Sequence, residues 1–212
     1  MARSTRESIL TAAAELMRHR GYAGVGIKDI AEASGSPIGS LYHHFRGGKV
    51  QIAREALINA GAAYGLLIPT IVDDYSDLGE AVDGVFTQAA ADMAATGFAN
   101  MCPVASVAGE VADTVEELRQ TTQVIFDGWI AGGTGYFVAR GLDEPAARDV
   151  TLALIGALEG GFLLARVLRS TEPLLAAART LAPQYRGIEL AAVSPTPGTG
   201  RVSLPGVVGG SR

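Results

Sequence analysis

The residues of this 212-residue chain that could do chemistry are few and unevenly placed. All three histidines, His19, His43 and His44, precede residue 55, and the single cysteine is Cys102. Neighbouring residues on a helix point about 100° apart, so His43 and His44 cannot close on one metal ion. No HExxH and no Cys/His cluster accompanies them, so neither a metal nor a cofactor is expected. Cys102 has no histidine nearby in sequence and sits among apolar residues, which reads as a small buried hydrophobe rather than a nucleophile. The acidic pairs Asp73-Asp74 and Glu116-Glu117 read as solvated helix ends, and no phosphate-cradling glycine loop occurs. An enzyme is therefore not expected. A different chemistry fits the segment from Lys28 to Lys49, which concentrates hydroxyl, phenol, imidazole and ammonium donors of the kind that phosphate oxygens accept from.

The elements that must position those donors are helices. Residues 27–33 put Ile27, Ile30 and Ala31 on one face, and residues 38–45 carry Ile38, Leu41, Tyr42 and Phe45 at helical spacing. Between them Gly35 suits a positive φ, Ser36 suits an N-cap, and Pro37 suits a first turn, where a missing N–H costs nothing. Two short helices joined by a glycine turn make a helix-turn-helix, whose second helix can enter a DNA major groove. Side chains available to face DNA are Ser36, Pro37, Ile38, Gly39, Ser40, Tyr42 and His43. No Arg, Asn or Gln lies between Ser36 and Phe45, so base readout is expected to lean on Ile38, on Lys28 and on DNA shape.

Charge supports this division of labour. The chain carries a net −5, but residues 1–54 hold eight Lys and Arg against four Asp and Glu, a local +4. The remainder holds nine against eighteen, a local −9. A basic head on an acidic body is the asymmetry of a DNA-binding module carried by a different domain.

The head resembles the TetR family of bacterial repressors. The match runs through Gly21-Tyr22, Asp29-Ile30-Ala31, Ser34-Gly35, G-S-L-Y-H-H-F over 39–45, and Lys49. F-R-G-G-K over 45–49 and Cys102-Pro103-Val104 are similar to the lincomycin- and flavonoid-responsive branch. Two positions depart from the pattern: Gly26 stands where Ser or Thr normally caps, and Ser36 where an apolar residue is usual. The resemblance implies that Tyr42, His44 and Lys49 touch phosphates. It also implies a homodimer on a double-stranded, palindromic operator, released by a small apolar or aromatic effector.

Beyond the head the periodicity stays helical. A stripe through Ile52, Ala56, Leu57 and Ala60 is expected to run to Pro69; further helices are expected over 77–95, 101–111, from a Thr114 cap past Tyr136, over 145–170, and from Thr171 to about Pro183. Gly132 and Gly133 weaken the middle of one, by about 1 kcal/mol each relative to Ala. The body's aromatics are open to two readings, solid core or cavity wall. The resemblance selects the cavity, with Tyr64, Phe86, Met93, Phe98, Met101, Cys102, Phe126, Trp129 and Phe162 as its expected lining. The apolar, small-residue stretch 154–168 matches the place of the family's dimer helices, which puts Ile155, Gly156, Glu159, Gly160, Phe162, Leu163 and Leu174 at the expected seam.

The expectation is an all-α chain. Residues 1–48 form a three-helix DNA-binding domain with a helix-turn-helix, 49–190 a ligand-binding and dimerisation domain, and 191–212 a flexible tail. The alternative class is a helical ligand-binding or scaffold protein without sequence-specific DNA binding. One cysteine cannot make an internal disulfide and no apolar leader is visible, so a cytoplasmic protein is expected. The uncharged run 56–72 is interrupted by Asn59, glycines and Pro69 and reads as buried helix, with no membrane partner expected.

Overall fold

The computed structural model describes residues 4–99 and 101–192, and they form ten α-helices with no regular strand among the described residues. The helices are α1 (Thr5–Arg20), α2 (Ile27–Ser34), α3 (Ile38–His44), α4 (Gly48–Tyr64), α5 (Leu67–Val72), α6 (Leu78–Ala95), α7 (Pro103–Val111), α8 (Glu116–Ala139), α9 (Glu144–Leu168) and α10 (Glu172–Tyr185).

Local signals explain most of these boundaries. Ser4 and Glu7 close a reciprocal capping box at the start of α1. Gly35 takes the left-handed conformation, φ 63° and ψ 22°, which lets the chain leave α2 in a Schellman turn: Ser36 N–H donates to Ala31 O at 3.0 Å and Gly35 N–H to Glu32 O at 3.1 Å. Asp77 and Asp143 cap α6 and α9 through the N–H groups of Glu80 and Ala146.

Three expectations are corrected. Pro37, not Ser36, is the N-cap of α3, and the Ser36 hydroxyl instead donates to Ser34 O. The helix from residue 48 ends at Tyr64 rather than Pro69; Gly65 and Leu66 break it, and Pro69 sits in the first turn of α5, where its missing N–H is harmless. Val115 is the N-cap of α8, because Thr114 Oγ1 donates back to Glu110 O. Helix α8 runs unbroken through Gly132 and Gly133. At Gly26 the absent cap hydroxyl is half compensated, since Asp29 Oδ2 accepts from Gly26 N–H at 2.7 Å. Of the expected tail, Ala191 is bonded through its N–H to Arg140 O, and 193–212 lie outside the described residues.

Packing divides the molecule into two clusters. The first buries Ile9, Met17, Ile30, Leu41, Phe45, Ile52 and Leu57 and extends into the body through Val104, Val107 and Val111 of α7 and Leu118 of α8. The second gathers Phe86, Met93, Phe137, Leu154 and Leu174 from α6, α8, α9 and α10. Each such side chain contributes about 1.5–3 kcal/mol by leaving water. Helix α4 belongs to the first cluster and meets α8 closely: Trp129 Nε1–H donates to Gly61 O at 2.7 Å, and a Cβ on Gly61 would lie 2.6 Å from Ile125 Cγ2.

By length and apolarity alone, Gly48–Val72 and α9 could cross a membrane, at mean hydropathies of 1.4 and 1.7. The first is two helices interrupted at Gly65 and Leu66, and the second turns separate faces to the core, to a cavity and to the outside.

Candidate nucleic-acid interface and ligand cavity

Helix α3 splits its apolar residues by face. Leu41 and Phe45 are fully buried, while Ile38 and Tyr42 stand 42% and 55% exposed. Lys28, Pro37, Gly39, His43 and His44 are exposed beside them, and Ser36 and Ser40 are half-buried. Ile38 and Tyr42 thus stand in water on the face opposite the buried Leu41 and Phe45. The His43 and His44 rings meet edge to face at 5.2 Å between centroids.

The neighbours of α3 are braced. Lys49 at the start of α4 is half-buried, its Nζ 4.0 Å from the centre of the Tyr22 ring. Burial holds its pKa below the usual lysine value against the pull of Glu110 and Asp29. Arg6 on α1 pairs with Glu55 and lies 5.2 Å over Phe45. The loop after α1 is tied to the body: Glu110 on α7 accepts from Tyr22 N–H at 2.7 Å and Ala23 N–H at 2.6 Å. From α9, Arg166 donates to Arg18 O and His19 O.

The body encloses a cavity of about 480 Å³. Its walls are Tyr64 at the end of α4, Gly65 after it, residues 67–71 of α5, the inner faces of α6 and α8, and one face of α9. Tyr64, Cys102, Trp129 and Phe162 line it as expected from the sequence. Five expected residues do not. Phe86 and Met93 are wholly buried in the second cluster, Phe98 packs against that cluster at a positive φ of 62°, and Phe126 packs on the first cluster, edge to face with Trp129. Met101 lies in a shallower cleft beside Arg18 and His19. Aromatic or thioether identity does not distinguish a wall from a filled core; only the side of the helix does.

The polar lining was not read from the sequence. Asp74, Tyr75, Gln88, Asp92, Tyr136 and Glu159 face the cavity. Burial raises the Asp92 pKa, partly offset by a 2.9 Å hydrogen bond from Gln88. Burial pushes Glu159 up to about 7, with the Cys102 thiol donating to it in opposition. The Cys102 thiol itself is pushed well up by burial and by the Glu159 charge. One signal was available: Glu159 is the sole charge between Val150 and Ala165 in an apolar run. Arg140, 3% exposed, is consumed behind the wall, donating to Asp73 Oδ1 at 2.9 Å, to the Tyr136 hydroxyl and to Tyr75 O.

The expected dimer seam divides. Gly156, Gly160 and Leu163 lie on the exposed face of α9, where Leu152, Leu164, Val167 and Leu168 join them. Ile155, Glu159 and Phe162 face the cavity instead. Leu174 is internal, packed where a Cβ on Gly161 would be 2.5 Å from its Cδ2. Helix α10 turns Leu174, Ala178 and Ala182 into the core, while α8 exposes Val124 at 70% and Val138 at 42%.

This architecture, a helix-turn-helix head on a hollow helical body, is that of solved bacterial regulators. The structure of a TetR transcriptional regulator from Chloroflexus aurantiacus superposes with a TM-score of 0.69 at 26% identity, covering 89% of this chain and 97% of that one. Residues 9–56 match the pattern described as bacterial regulatory proteins, tetR family, and residues 79–180 that of the transcriptional regulator LmrA/YxaF-like C-terminal domain. The HTH-type transcriptional regulator LmrA of Bacillus subtilis is 30% identical over 171 residues, covering 81% of this chain and 91% of LmrA. YxaF of the same organism, an uncharacterized HTH-type transcriptional regulator, is 32% identical over 171 residues, covering 81% and 90%. The chain belongs to the TetR family of DNA-binding transcriptional regulators, with an LmrA/YxaF-like C-terminal half.

Proposed function

We propose that this protein is a ligand-responsive repressor acting in the cytoplasm. Two copies join across the exposed faces of α8 and α9, bind a palindromic operator through α3, and release it when a small, largely apolar molecule fills the cavity. Residues 1–48 read the DNA and 49–190 bind the effector and dimerise. The observation that carries this reading is the double use of α4: its first turn holds Lys49 against Tyr22 of the head, and its last turn, Tyr64, is cavity wall. An occupant that displaces the end of α4 tilts the head. Two recognition helices must sit about 34–36 Å apart to enter successive major grooves. A small tilt therefore opposes operator binding, with a coupling free energy of about 1–3 kcal/mol.

The test begins with selection of bound duplexes from a random library. The selected duplex should be palindromic, bind one dimer, and weaken steeply between low and high salt. Salt-independent affinity, or a chain that stays monomeric in light scattering at micromolar concentration, would reject the proposal. Gly160→Trp, placed on the exposed face of α9, should give monomer and lose operator binding.

A further inference from the structure

We propose that the cavity selects an effector carrying a basic amine on an apolar frame, and that Glu159 is the group that receives the ammonium. This rests on the effector reading above and narrows it to a chemical class.

The charges around the cavity are of one sign. Asp74, Asp92 and Glu159 line it, and no Lys, Arg or His among the described residues does. Nearby cations have other partners. Arg140 is spent on Asp73 behind the wall, Arg18 pairs with Glu15 at 3.0 Å, and Arg166 donates to the carbonyls of Arg18 and His19. Glu159 Oε2 is covered from solvent and has no hydrogen-bond partner. A carboxylate oxygen withdrawn from water without a partner is costly, and a ligand that supplies an N⁺–H donor recovers that cost. The surroundings suit such a ligand. Tyr64, whose pKa burial raises, and Trp129 line the same cavity, so aromatic surface is available to the ligand's frame. Leu154, Leu158 and Phe162 supply the apolar frame's contacts. Within this cavity an anionic effector would meet three carboxylates and no lining cation, since Arg18, His19 and Arg166 belong to the separate cleft that Glu159 also borders, and this disfavours an anion.

Dibenzylamine, protonated at neutral pH, and dibenzyl ether, its uncharged counterpart of nearly equal shape, isolate the charge. Both are titrated calorimetrically into the full chain, free of DNA, at pH 7.5. The ammonium should bind about ten-fold or more tighter than the ether, the worth of a charge-assisted hydrogen bond. Glu159→Gln should erase that preference by weakening the ammonium about ten-fold while moving the ether less than about three-fold. Asp92→Asn should keep the preference. Equal or tighter binding of the ether, binding of neither compound, an unchanged ammonium affinity in Glu159→Gln, or loss of the preference in Asp92→Asn would each overturn the assignment. Folding of each variant is read separately from its melting curve. Operator release is read by anisotropy of a labelled duplex. An ammonium that binds without releasing the operator overturns the switch and leaves this assignment standing. An operator-competent chain that does not prefer the ammonium does the reverse.

Discussion

The head and the body are built from the same aliphatic and aromatic side chains, yet one is filled and the other is hollow. Around α1–α4, Ile9, Met17, Phe45 and Leu57 reach zero exposure. In the body Phe86 and Met93 are buried as completely, but about 480 Å³ stays open between α4, α5, α6, α8 and α9. Protein interiors normally pack as densely as organic crystals, so an opening of this size forgoes dispersion contacts and lowers stability. The contrast teaches where each kind of rigidity is needed. In the proposed function Tyr42 and Ile38 meet DNA in fixed register, which requires a close-packed support. Answering a small molecule requires a space whose walls can move.

Substitutions on either side sharpen the contrast, the largest effect first. Phe45→Ala removes the buried anchor of α3 and should cost about 3–5 kcal/mol in chemical denaturation, since the dense head cannot collapse around the gap. A loss below about 1 kcal/mol would mean that the head is no better packed than the body. Glu159→Gln comes next, and its effect depends on pH. With its pKa raised to about 7, Glu159 in the folded state keeps a proton that the unfolded chain has already released. Stability therefore falls as pH rises from the ordinary carboxyl range through about 7 and levels off above it. The glutamine variant lacks this fall and should be more stable than wild type by about 2–3 kcal/mol at pH 8, with little difference near pH 4. Parallel melting curves for the two proteins at both pH values would remove the buried carboxyl from the account. Leu158→Ala, at a wall already open on one side, should cost only about 1–2 kcal/mol, well short of the Phe45 change. Tyr42→Ala should leave stability within about 0.5 kcal/mol. Its effect belongs to DNA, where affinity for any duplex should fall in a mobility shift.

The same contrast separates what could be read from the sequence. The head was legible because its determinants are local. Gly35, the Ser4–Glu7 capping box and the Ile30, Leu41, Phe45 spacing each act within a few residues. Helices in the body were found for the same reason, although Pro69 misled: a proline marks a helix start as readily as an end, and the break came from Gly65 and Leu66. The cavity depends on which faces of α4, α5, α6, α8 and α9 meet, which no local pattern encodes. Phe86 and Phe126 were therefore assigned to a wall they do not form, while Ile155 and Glu159 were assigned to a seam from which they turn away. Leu174, expected at the seam from the resemblance, is turned inward by α10, and no local pattern shows what covers a helical stripe.

The contact of Trp129 and Ile125 with Gly61 has a consequence for descent. Helix α8, which the proposed dimer would bury, is locked to α4 through a gap that only a hydrogen atom fills, and α4 carries the head. In the proposed dimer, the span between half-sites is inherited through position 61, a residue that never meets DNA. A lineage that replaced Gly61 with alanine would thicken that joint and shift both heads. Its operators would have to change spacing in step, or the regulator would lose its targets without a single change in the residues that read bases.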